Sequence, residues 1–102
     1  MKKICVVYTT VATQATAEEL AQGVIHENLA VCVNFSEIQS VYRWQGKIEQ
    51  EAEWSMLFKT TVSQSDALLL WIKAHHPYEL PSLWWRFVEA SDEYASYLSA
   101  PQ

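Results

Sequence analysis

The 102-residue chain predicts an α+β sandwich whose segments run β-α-β-β-α-β, with a short helix at the end and an antiparallel sheet. Three observations carry that expectation. Hydrophobic spacing alternates along the chain between a period of two and a period near 3.6. Gly46, one of only two glycines, stands between two long β-rich runs, where a hairpin turn or bulge is needed. Two helices can cover only one face of a four-stranded antiparallel sheet, yet the first strand and "AVCVNF" are apolar on both sides, so the sandwich is expected to be completed by other subunits on the second face.

The first strand is expected at about 3–9. "MKKICVVYTTVA" imitates a signal peptide, but its apolar run, 4–8, is shorter than the roughly 7–15 residues of an h-region. A strand with both faces buried fits better. No stretch approaches the ~20 apolar residues that span a bilayer. A helix follows, with Thr16 and Glu19 as an S/T-x-x-E capping box. Ala17, Leu20, Ala21, Val24 and Ile25 recur on one side, and Asn28 is a left-handed stop. Next come "LAVCVNF" and "IQSVYRW"; in the latter, Ile38, Ser40, Tyr42 and Trp44 share a face and Val41 and Arg43 take the other. After "QGK", Trp54, Met56 and Phe58 alternate with Ser55, Leu57 and Lys59 as a third strand.

A second helix begins near Ser63 or Ser65, either of which can cap it, and runs through "DALLLWIKAH". Pro77 disfavours helical geometry at His76 and ends it there. The fourth strand is expected within 83–88. A closing helix follows Ser91, with Tyr94, Tyr97 and Leu98 on one side. This order is the split-βαβ, ferredoxin-like arrangement, and the length suits one domain over 1–102.

Composition bounds the partners. Half the residues are hydrophobic, and five tryptophans and five tyrosines are many for so short a chain. A monomer of this size buries roughly two-thirds of its unfolded surface, so the excess predicts an oligomer. The net charge is −5, and the 7 basic residues are scattered, which argues against nucleic acid and anionic membrane as partners. Cys5 and Cys32 form no CxxC, and a reducing cytoplasm is the simpler setting for them.

"LAVCVNF", "VYRWQGKIE", "FKTT" and "HPYELP", in this order and spacing, resemble the CutA family, the divalent cation tolerance proteins. The resemblance covers nearly the whole chain. Its most specific parts are the Cys-Val-Asn strand, the Trp-x-Gly-Lys-Ile hairpin and the His-Pro-Tyr-Glu segment. It implies a ferredoxin-like fold, a homotrimer and a link to copper and other divalent cations, and it implies no established enzyme activity. "EASDEYASYL" departs from the Gly-Asn-Pro-like turn usual in the family before its last helix.

Two candidate sites follow. By the resemblance, Cys32 and His76 match positions where the family offers soft or imidazole ligands, with Glu79 as a third ligand or an orienting group. They would hold Cu2+ or another divalent cation weakly, and His75 is an alternative to His76. Against this, a lone strand cysteine is usually packing and a helix-end histidine often serves the last carbonyls. The second site is the long hairpin, where Tyr42, Trp44, Lys47, Glu49, Lys59 and Tyr78 form either an intersubunit cleft or the rim of an interface. Aromatic walls with one cation and one carboxylate suit a small anionic or zwitterionic ligand. His26 reads as solvated surface, and Trp54, Trp71, Trp84 and Trp85 as core or interface mass.

No H-E-x-x-H, P-loop or GxGxxG occurs. Cys32 with His76 can be drawn as nucleophile and base, but nothing in the sequence gives that pair the electropositive, partly exposed setting a reactive thiol needs. The expectation is therefore a non-enzymatic, homotrimeric metal-tolerance protein with an unidentified protein partner in reserve. A trimeric PII-like signalling module with a small-molecule cleft is the alternative.

Overall fold

The structure, a computed structural model, describes residues 2–102. β1 (Lys2–Val11), α1 (Gln14–His26), β2 (Cys32–Trp44), β3 (Lys47–Thr60), α2 (Ser65–His75), β4 (Leu83–Ala90) and α3 (Asp92–Ser99) follow in the expected order. The sheet is antiparallel throughout, in the order β2-β3-β1-β4.

Local chemistry sets the ends of the elements. α1 is capped by Thr13, whose side chain accepts from the Thr16 amide at 3.1 Å. Thr16 is therefore inside the first turn, not the cap, and its hydroxyl lies 3.1 Å from that of Thr13. Asn28 stops the helix at φ 59 as expected. Ile25, expected on the buried side, is 41% exposed. Before α2, Thr61 caps a short 3-10 turn, Val62–Gln64, and Ser65 is the first residue of α2. Neither Ser63 nor Ser65 is the cap. α2 ends where Pro77 demands, with His76 extended at ψ 130. Ser91 caps α3 through the Tyr94 amide.

"LAVCVNF" and "IQSVYRW" contribute to one continuous strand, β2, paired with β3 along its whole length from Cys32↔Lys59 to Trp44↔Lys47. The turn between them is Gln45-Gly46, with φ of 50 and 81. Positive φ at both central residues is what a two-residue hairpin turn matched to strand twist requires. β1 leaves β3 at Val11↔Trp54. Beyond that point the β2–β3 hairpin continues as a bare two-stranded ribbon, and Val41 and Ile48 on it are 65% and 70% exposed.

The register puts Cys5, Val7, Val11, Val33, Phe35, Trp54, Met56 and Phe58 on one face. Ala17, Leu20, Ala21 and Val24 of α1 and Leu68, Leu69 and Ile72 of α2 complete the core there. Burying Phe58 or Met56 contributes about 1.5–3 kcal/mol each. The second face carries Ile4, Val6, Tyr8 and Thr10 of β1. α3 covers only its Ile4 end, through Ala95 and Leu98.

Candidate functional site

The second face has two ends of different character. At the α3 end, Cys32, Lys59, Val6 and Arg86 form one row across the sheet. Cys32 is a free, half-buried thiol, and Lys59 Nζ donates to its sulfur at 3.9 Å. Burial first, then the neighbouring Cys32, raises the Tyr94 pKa. Cys5 lies on the helix-covered face, and burial pushes its thiol up.

At the other end the chain leaves α2 at His76 and returns over the sheet. The Tyr78 amide donates to His76 Nδ1 at 3.1 Å, and His76 Nε2 sits 2.9 Å from the Thr10 carbonyl. An amide donor at Nδ1 places the lone pair there and the proton on Nε2, which donates to Thr10. Burial holds the imidazole below its usual 6.5, while the Thr10 carbonyl and Glu53 pull the other way. The Tyr78 hydroxyl donates to Glu53 at 2.8 Å. Burial, and then this carboxylate, raises Tyr78 well above the ordinary tyrosine range.

Between β1, the ribbon and this returning segment lies an open cavity of about 1020 Å³. Tyr8, Tyr42, Trp44 and Tyr78 supply aromatic walls, and Glu49, Glu51, Glu53 and Glu79 supply carboxylates. Tyr8 stacks on Trp84 at 4.7 Å between centroids, which fixes one wall. The Tyr42 hydroxyl donates to Glu51, and that bond above all raises its pKa to about 12. Four carboxylates, with no Lys or Arg among the described residues lining the cavity, make its field negative.

Of the hairpin residues expected at a cleft, Tyr42, Trp44, Glu49 and Tyr78 line it. Lys47 is at the hairpin tip opposite Trp44, and Lys59 is at the far end beside Cys32. The cation that would have suited an anionic ligand is therefore not in the wall. Glu51, Glu53 and Tyr8 were missed by sequence reasoning. The signal for the first two is in "KIEQEAEW", where Glu49, Glu51 and Glu53 alternate onto one strand face.

The candidate metal donors are not together in one chain. Cys32 shares a row with Val6, whereas His76 bonds Thr10. Four residues of β1, about 13 Å of extended strand, separate those positions, and β3 lies between β1 and β2. Glu79 lies in the cleft wall on the His76 side. Among the described residues no group of three His, Cys, Asp or Glu could hold a metal ion. Both His76 ring nitrogens are also engaged, so a single chain does not fit a metal at these residues. His75 points elsewhere, stacked on Trp71 at 3.9 Å.

Known proteins place the chain in a family. Residues 5–101 match the family model for the CutA1 divalent ion tolerance protein. The divalent-cation tolerance protein CutA of Escherichia coli O139:H28 is 45% identical over 97 residues, covering 93% of this chain and 87% of that one. CutA from Synechococcus elongatus PCC7942 superposes with a TM-score of 0.91 at 43% identity, over 96% of this chain and 88% of that one. The same cyanobacterial protein complexed with a Bis-Tris molecule gives 0.87 at 40% identity, over 96% and 92%. By the family match over residues 5–101 and these relatives, the chain belongs to the CutA1 divalent ion tolerance family.

Proposed function

We propose that this family member works in the cytoplasm as a homotrimer that binds divalent cations weakly, copper before others, and so contributes to the response to metal ions. The observation that carries this reading is the cleft, whose wall holds Glu49, Glu51, Glu53 and Glu79 and no basic residue among those described. Such a wall favours cations over anions. Cys32 sulfur and His76 imidazole are donors that suit copper or zinc, and the Glu79 carboxylate lies in the cleft wall on the His76 side. Within one chain Cys32 and His76 stand apart, so donors that meet must come from different copies.

The uncovered surface supports that assembly. A lone two-stranded ribbon is marginal in water, and Trp84 and Trp85 on the edge strand β4 are each about half exposed. Neighbouring copies would cover both. The net charge of −5 argues against nucleic acid, and no helix among the described residues is long and apolar enough to cross a membrane. No reaction is proposed; a protein partner would read the metal state. Copper titration of the wild type, Cys32→Ala and His76→Ala tests the donors. Weaker binding in both variants is expected, and equal affinity in all three contradicts the reading.

A second reading, a trimeric PII-like module with a small-molecule cleft, is favoured by the aromatic walls of the same cavity and by the Bis-Tris complex of the Synechococcus relative. A thermal-shift screen with Bis-Tris, nucleotides and small metabolites tests it. A shift with at least one compound is expected, and no shift with any of them counts against it.

A further inference from the structure

We propose that His76 is a latch: its neutral ring ties the segment 77–82 to the end of β1 and so fixes Tyr78 and Glu53 in the wall of the cleft. The ring is not needed to end α2, because the His76 backbone N–H already donates to the Ile72 carbonyl at 2.8 Å. Pro77 has no N–H to offer. The ring reaches past it to the Tyr78 amide, an i→i+2 contact like that of an Asx turn. Its other nitrogen holds the Thr10 carbonyl. At the far end of the segment the Thr9 hydroxyl donates to the Ser82 carbonyl at 2.7 Å. Adjacent residues of β1 thus pin both ends of a strap whose middle, Leu80, is 74% exposed. Tyr78 carries the hold onward to Glu53 on β3. The strap bridges β1 and β3 over the second face, and His76 is its positioning residue.

The latch goes beyond the metal reading and meets it at one point. A cation that takes either ring nitrogen displaces Tyr78 or Thr10, so ligation of His76 and the closed strap exclude each other.

Amide exchange by NMR tests the latch without metal. In His76→Leu the Tyr78 amide should exchange roughly tenfold faster. In His76→Asn the side-chain carbonyl can accept from the same amide, and protection should return. Glu53→Gln separates the two ends of the hold: it should leave the Tyr78 amide protected. A His76→Leu protein of wild-type fold and mass, with Tyr78 amide exchange unchanged, overturns the proposal. Copper added to the wild type should speed Tyr78 exchange if it sits on His76 Nδ1, and His76→Asn should abolish the effect. Copper seen on His76 Nδ1 with exchange unchanged overturns the exclusion. Copper that leaves His76 untouched counts against the metal reading alone, because the variants decide the latch.

Discussion

The two ends of the sheet's second face are built from the same four strands and differ in what lies over them. At the Cys32 end, α3 packs Ala95 and Leu98 onto Ile4, and Lys59 and Tyr94 enclose the thiol. At the His76 end no helix among the described residues lies on this second face. The surface there carries aromatics and carboxylates, and a strap held by hydrogen bonds takes the place of a packed helix. The covered end contributes stability through apolar burial. The open end leaves charge and concavity exposed, and its geometry depends on a few polar contacts.

Substitutions on the two ends sharpen that contrast. Leu98→Ala, at the covered end and only 3% exposed, should cost about 2–5 kcal/mol in denaturant unfolding at fixed protein concentration. A loss below about 1 kcal/mol would mean that α3 is not a true cover. Gly46→Ala, at the tip of the open ribbon, meets no atom within 4 Å, so its cost is the backbone's alone. At φ 81 that should be about 1–2 kcal/mol. Ile48→Ala on the ribbon should change the stability of the chain's own fold by less than about 0.5 kcal/mol while weakening self-association. An equal effect on both would erase the distinction between core and ribbon.

The smallest effect is electrostatic. Tyr42 should titrate near 12, and Glu51→Gln should return it toward the ordinary tyrosine value. Because the folded value lies above the unfolded one, the contribution of this pair is present below about pH 10 and is lost as pH rises through 12. Difference absorbance of wild type against Tyr42→Phe reads it directly.

Period and turn chemistry made the fold legible, since Gly46 through the Cβ it lacks, Pro77 through its ring and Asn28 through its short amide each set the backbone locally. The α1 cap was misplaced because Thr13 and Thr16 are both hydroxyl residues one turn apart, and only geometry shows which one accepts. Half of the cleft was legible for a similar reason. Tyr42, Trp44 and Glu49 cluster around a visible turn, whereas Glu53 joins the site through Tyr78, 25 residues away. The alternation of Glu49, Glu51 and Glu53 reports the strand face of Glu53 but not that contact. The separation of Cys32 from His76 is likewise set by strand order, which the spacing of the two residues along the chain does not encode.

The central claim is that surface left bare at the open end is finished by further copies of the same chain. Light scattering on the purified protein at micromolar concentration tests it most directly. The account predicts the mass of three chains; a well-folded single chain would contradict it.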